Sequence, residues 1–246
     1  MSLSTNSILH YTDQLNKLES ILREGFKIKY CREALVIQDS TGSRAAHPMI
    51  SFCDIPLSQS FEHFSAYGKY GVGLTKKWAN RNGINPVLYL ESNSEATKAL
   101  GRLLEDRRNK KGNLTLEQEM DILRLKCFVK NYSGPLKRKD LNILDYRFYN
   151  EREWRLVPNR KQLDGQKFSI TMSEYNRKKE QYNKKIAHLR FKFNPEDISY
   201  IIVEHSKEIP QMIAFLKKQF NNCGKDKVLD MLFSKVTSTE QILRDY

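Results

Sequence analysis

Ser7-Ile8-Leu9-His10-Tyr11-Thr12-Asp13-Gln14-Leu15-Asn16-Lys17-Leu18-Glu19-Ser20-Ile21-Leu22-Arg23-Glu24-Gly25 reads as a short strand followed at once by a helix. Ser7 to Tyr11 carries the strand. Thr12 or Asp13 can supply the capping oxygen that the first free amides of a helix require. Leu15, Leu18, Ile21 and Leu22 then fall on one helical face, and Gly25 ends the helix. The chain has no G-x-G-x-x-G and no P-loop, so dinucleotide and Walker-type phosphate binding are not supported.

Beyond this opening, strands and helices alternate irregularly. Residues 26–47 look irregular or weakly extended, with a polar turn cluster at Asp39-Ser40-Thr41-Gly42-Ser43. Pro48 to Cys53 is a compact apolar strand, closed by Asp54-Ile55-Pro56. Ser58 opens a short helix that turns Phe61 and Phe64 inward, and Tyr70 to Thr75 and Val87 to Leu90 are further strands. Two helices follow, Ala96 to Arg108 and one opened by a Thr115/Gln118 capping box, joined by a charged loop. We read 92–131 as a helical hairpin inserted into a single domain spanning 1–246.

Glu153 to Val157, Phe168 to Thr171, His188 to Phe193 and Ile198 to Val203 are the later strands. Residues 173–186 and Ile209 to Phe220 are helical, and Ser238 with Gln241 forms a last capping box. Short strands interspersed with helices imply an α+β fold around a central mixed or antiparallel sheet.

With 246 residues the chain can bury one sizeable core. Cys31, Cys53, Cys127 and Cys223 include no C-x-x-C, which argues against a thiolate zinc site and against a disulfide framework. Reduced cysteines and no visible signal segment point to the cytoplasm. No apolar run approaches the roughly 20 residues that span a bilayer. Lys and Arg number 42 against 29 Asp and Glu, a formal charge of +13. Such an excess favours polyanionic partners, nucleic acid among them, although it also suits a merely solvated surface. Arg107, Arg108, Lys110 and Lys111 are the densest basic group in the helical hairpin.

Four stretches could carry chemistry. His10, at the end of a first strand, can meet a ligand with one ring nitrogen while the backbone fixes the other. Ser51 and Cys53 sit in an apolar strand with no G-x-S-x-G elbow, so a hydrolase nucleophile is not expected. In Tyr67-Gly68-Lys69-Tyr70-Gly71-Val72-Gly73 the tyrosines offer stacking faces. Its glycines allow either close backbone approach to a ligand or simply the turn. In Glu151-Arg152-Glu153-Trp154-Arg155, the two glutamates and Arg155 share a strand face, as a sugar-binding site or a plain ladder of charges would have them. Histidines are too widely spaced to form a local metal motif.

Taken together, Ile8-Leu9-His10-Tyr11-Thr12, Ile21-Leu22-Arg23-Glu24-Gly25-Phe26, Tyr30-Cys31, Pro48 to Ser58, Tyr67 to Leu74, Trp78-Ala79, Asn85-Pro86-Val87 and Glu151 to Arg155 resemble the AbiGi family of abortive-infection phage-resistance proteins. The resemblance spans most of the chain. It implies a bacterial cytoplasmic antitoxin of phage defence that binds a cognate toxin protein or nucleic acid. The resemblance also implies a nucleotidyltransferase-like toxin encoded beside it.

A weaker resemblance is to the ADP-ribosyltransferase fold. It implies NAD as cofactor, with His10 at the adenosine ribose and Ser51 in the same site. Tyr67 or Tyr70 would lie at nicotinamide, Glu153 or Glu151 would be the catalytic acid, and Arg155 would meet pyrophosphate.

Overall fold

A computed structural model describes residues 4–38, 40–109, 114–138, 141–220 and 226–245. They form helices and mixed sheets, an α+β architecture. The chain folds as two compact units.

The first unit comprises Met1–Lys27, Ser51–Ile84 and Arg190–Tyr246. Strand Ser7–Thr12 pairs antiparallel with Tyr70–Thr75 in unbroken register, from Ser7 opposite Thr75 to Thr12 opposite Tyr70. On its other edge Leu9 lies opposite Cys53. Ile198–Val203 extends the sheet antiparallel to Tyr70–Thr75, and Val236–Ser238 joins parallel to Ile198–Val203.

Period-two alternation separates two apolar faces. Leu9 and Tyr11 pack with Cys53, Ile55, Phe64, Ile202 and Ile242. Phe26, Phe52, Trp78 and Phe193 meet as an aromatic cluster, with His10 edge-on to the two nearest phenylalanines.

Helix Leu15–Glu24 buries Leu18 and Leu22, and its N-cap is Gln14 with no side-chain capping bond. The expected cap at Thr12 or Asp13 is therefore corrected: Thr12 is claimed by the sheet. Gly25 ends the helix at φ 81, and a Cβ there would stand 2.6 Å from the Phe191 carbonyl oxygen. Phe61, expected inward, is 66% exposed, while Phe64 is buried. Phe61 is the first residue of helix Phe61–Tyr67, whose buried residues are His63 and Phe64.

The second unit comprises Ile28–Ile50 and Asn85–Leu189. Residues read as irregular form a long antiparallel hairpin, Lys29–Ile37 with Ser40–Cys53, its turn marked by Gln38 at φ 48. The expected polar turn at 39–43 contracts accordingly, since Ser40 to Ser43 are strand, and Asp39 lies outside the described residues. The ladder is completed by distant sequence: Ile170–Thr171 pairs with Ala45 and Ala46.

Helices Glu95–Asn109 and Leu116–Cys127 form the expected helical hairpin within this unit, and Thr115 and Gln118 close their capping box. Its apolar stripe packs onto the first of those strands, joining Leu100, Leu104 and Ile122 to Leu35 and Val129. A second hairpin, Ser133–Arg138 with Leu141–Arg147, follows. The chain then makes a single 3-10 turn, Phe148–Glu151, passes Arg152 at φ 42, and enters strand Glu153–Leu156.

Candidate functional site

Strand geometry places Glu153 and Arg155 on the same side of Glu153–Leu156. Arg155 is wholly buried. Its Nε donates to Glu153 Oε1 at 2.8 Å and its Nη2 to Glu153 Oε2 at 3.1 Å. The same Nη2 lies 3.0 Å from Glu33 Oε2, and Nη1 donates to the Cys127 carbonyl at 2.6 Å. The guanidinium fork is thus spent on two carboxylates and a helix-end carbonyl.

Lys130 completes the cluster. Its Nζ lies 2.6 Å from Glu151 Oε2 and 3.0 Å from Glu153 Oε2, and 4.5 Å from the centre of the Phe148 ring. The backbone N–H of Glu153 donates to the Tyr89 hydroxyl at 2.7 Å. Three carboxylates, Glu33, Glu151 and Glu153, therefore face two cations in a largely buried space.

Burial opposes the charge on Arg155, but Glu33 and Glu153 more than offset it and hold the guanidinium protonated. Burial likewise opposes the charge on Lys130, and Glu153 and Glu151 reverse the effect. Burial pushes the Cys127 thiol up to about 12, so it is no ready nucleophile. Both candidate acids are committed to ion pairs, an arrangement that stabilises charge rather than moving a proton.

His10, Ser51, Tyr67 and Tyr70 belong to the first unit. His10 Nδ1–H donates to the Ser51 backbone carbonyl at 2.9 Å, which sets the tautomer because that oxygen can only accept. Register places His10 and Tyr70 on one face of their strand pair, as diagonal neighbours. The Tyr70 hydroxyl donates to Glu208 at 3.0 Å, and burial together with that carboxylate raises its pKa. Tyr67 stacks on His63. Gly71 and Gly73 are required by internal packing: added Cβ atoms would meet the Tyr11 ring at 2.9 Å and the side chains of Leu9 and Tyr200 at 3.0 Å.

Of the basic residues, Arg107 and Arg108 end helix Glu95–Asn109, and Arg108 Nε caps the Leu104 carbonyl at 3.3 Å. Lys110 and Lys111 lie outside the described residues. Among the described residues no group of three or more His, Cys, Asp and Glu gathers into a metal-binding set.

Sequence reasoning missed Glu33, Tyr89, Lys130, Lys126 and His47. Glu33 and Lys130 carry no local signal, being ordinary charges within strands. Lys126 did carry one. It falls four residues after Ile122 and three after Leu123, on the buried stripe of its helix, where a lysine is out of place.

A family model described as "Putative abortive phage resistance protein AbiGi, antitoxin" matches residues 24–204. The abortive phage resistance protein AbiGi of Lactococcus lactis subsp. cremoris is 29% identical over 221 residues, which cover 81% of this chain and 88% of that protein. No solved structure matches the chain. No helix among the described residues is long and apolar enough to cross a membrane.

Proposed function

The chain belongs to the AbiGi family, and on that premise we propose that it acts in phage defence as an antitoxin, by binding a cognate toxin protein rather than by turning over a substrate. The supporting observation is the state of Glu151 and Glu153. Their carboxylates are buried and ion-paired to Lys130 and Arg155. Removing one member of such a pair leaves a buried charge uncompensated and destabilises the fold.

The test is a plaque assay on cells expressing the wild type, His10→Ala and the fold-checked Glu153→Gln. Binding predicts that His10→Ala and any folded Glu153→Gln protein protect as the wild type does. Loss of protection by variants that keep their circular dichroism and melting temperature would sink the binding reading. A nucleic-acid partner at Arg107, Arg108, Lys110 and Lys111 is distinguished by salt, because phosphate neutralisation makes affinity fall steeply with ionic strength.

The shared face of His10 and Tyr70, together with the preset His10 tautomer, favours a second reading: an NAD-dependent ADP-ribosyltransferase-like enzyme modifying nucleic acid or protein. Calorimetric titration with NAD tests it. Saturable binding weakened by His10→Ala supports the reading, and no heat from folded wild type removes it.

A further inference from the structure

The Ile28–Ile50 and Asn85–Leu189 unit carries a surface of one sign, away from the Arg155 cluster in sequence. Helix Met172–Lys185 is anchored by its two buried residues, Tyr175 and Tyr182. The Tyr175 hydroxyl donates to the Tyr30 carbonyl at 2.7 Å, and the Tyr30 amide donates to the Asn183 side-chain oxygen at 2.8 Å. The rings of Tyr175 and Tyr182 lie 6.2 and 6.0 Å from that of Tyr30. With that face turned inward, Arg177, Lys178, Lys179, Lys184 and Lys185 are all exposed.

Further cations gather on the same tyrosines. Arg32, exposed on strand Lys29–Ile37, sets its guanidinium 5.9 Å from the centre of the Tyr175 ring. Lys167 and Lys185 set their ammonium groups 5.8 and 5.9 Å from the centre of the Tyr182 ring. Three separate segments thus bring positive charge to one tyrosine cluster. The acids nearby do not balance it. Glu174 is taken by Lys167 at 2.8 Å and by the Tyr182 hydroxyl, which leaves Glu180 as the other acid of the helix. Among the described residues, Arg32 and the five exposed helix cations make no ion pair.

The chemistry of this surface identifies what covers it. Interfaces between proteins are built around an apolar or aromatic centre and are poor in lysine. A helix seated in a membrane surface turns large apolar side chains outward. Here no large apolar residue between 150 and 199 is exposed. Nucleic-acid phosphates, by contrast, are met by lysine and arginine with no apolar contribution. Proteins that hold single strands add exposed aromatic rings for the bases, whereas Tyr30, Tyr175 and Tyr182 are all buried. A duplex, whose bases are already stacked on one another, needs no such rings.

We propose that helix Met172–Lys185, with Arg32 and Lys167 beside it, is a docking surface for duplex nucleic acid, gripped through its phosphates and without regard to base sequence. The surface stands apart from toxin binding, since it concerns the chain alone and residues that the antitoxin reading does not use.

The experiment is an anisotropy titration of the full chain against a labelled DNA duplex of about 20 base pairs, between about 50 and 200 mM salt. Wild type should bind with an affinity that falls steeply as salt rises. Arg177→Gln, Lys184→Gln and Lys185→Gln combined should weaken binding at least about tenfold and make the log–log salt slope shallower by about 3, near one per lost phosphate contact. Arg177→Gln alone should make it shallower by about 1. Lys207→Gln, Lys217→Gln and Lys218→Gln combined remove the same charge from exposed positions of the other unit and should bind as the wild type does. Circular dichroism and melting temperature check that each variant is folded.

No duplex binding by folded wild type overturns the surface. So do equal losses in the two triple variants, because net charge alone would then be acting. A single strand of the same sequence bound as tightly as the duplex overturns the duplex as occupant. Displacement of the labelled duplex by polyglutamate as effectively as by unlabelled duplex, at equal charge, would make the occupant an acidic protein. The same result with phosphatidylserine vesicles would make it a membrane. Either overturns the proposal.

Discussion

Arg155 and Glu153, two residues apart on one strand, grip each other side-on, with Nε to Oε1 at 2.8 Å and Nη2 to Oε2 at 3.1 Å. That pair ties three segments of the second unit together, because the same guanidinium also holds Glu33 and the carbonyl of Cys127. Removing one member leaves a buried charge without compensation. Arg155→Met and Glu153→Gln should each lower unfolding stability by about 3–5 kcal/mol. Arg155→Lys should not rescue it, since an ammonium cannot reproduce the fork. Urea denaturation checks this, and a loss under about 1 kcal/mol would show that the pair is not structural.

The histidine at 47 sets an acid dependence. Its folded pKa of about 3 lies below the ordinary histidine value of 6.5, with burial the first cause. Between those values the unfolded chain binds a proton that the folded chain does not, so stability falls as pH falls. The slope attributable to this group is at most about 1.4 kcal/mol per pH unit. Urea midpoints at pH 7, 6, 5 and 4 should show it in the wild type, and His47→Asn should flatten it. An unchanged slope in that variant would mean the acid sensitivity arises elsewhere.

Lys126 weakens the fold at neutral pH. Its pKa is lowered from 10.5 to about 8, burial being the largest cause. A base whose folded pKa is depressed gains stability as pH rises from the lower value to the higher. Lys126→Met should therefore be more stable than wild type at pH 7, by about 1–3 kcal/mol, and lose that advantage towards pH 10.5. Thermal melts at pH 7, 8.5 and 10 measure it. A destabilised Lys126→Met would mean that the ammonium is satisfied by the fold.

Gly25 is constrained from two sides. It sits at φ 81, and a Cβ would lie 2.6 Å from the backbone oxygen of Phe191. Gly25→Ala should cost more than the roughly 1–3 kcal/mol of backbone strain alone, because strand Arg190–Phe191 must also move away from Phe26 and Lys27. A melting temperature within two degrees of wild type, on the order of the smallest shift that 1 kcal/mol produces, would contradict this.

Asp54 supplies a lower acid window. Burial raises its pKa, but Lys76, the Thr5 amide and the Ser4 hydroxyl outweigh that and bring it below 3.8. A carboxylate depressed in this way stabilises the fold above its unfolded value and ceases to as pH falls through the folded one. Asp54→Asn should remove the part of acid unfolding that lies below pH 4, roughly where free aspartate titrates. Circular dichroism against pH distinguishes it from the His47 effect, which begins near neutrality.

Much of the fold could be read locally. Strand Ser7–Thr12, strand Ile198–Val203 and the helical hairpin rest on short-range periodicity. The boxes Thr115/Gln118 and Ser238/Gln241 close as their spacing implies. The hairpin Lys29–Ile37 with Ser40–Cys53 was not legible, because its outer residues are polar and its pairing partner Ile170–Thr171 lies more than a hundred residues away. Glu151, Glu153 and Arg155 stood out by their order, yet nothing nearby signalled that Glu33 and Lys130 would neutralise them.

The amino-acid sequence by itself determined the α+β composition, the Thr115/Gln118 capping box and the helix end at Gly25, the AbiGi membership and the basic charge, all properties carried by neighbouring residues or by the whole list. Tertiary structure alone decided which charges are spent and which are left over. Arg155 meets Glu33 and Glu153, while the buried Nε2 of His47 meets no hydrogen-bond partner among the described residues. The physical reason is burial. A charge in water is much the same wherever it stands in the chain, but once desolvated its consequence depends on what segments remote in sequence bring within a few ångströms of it.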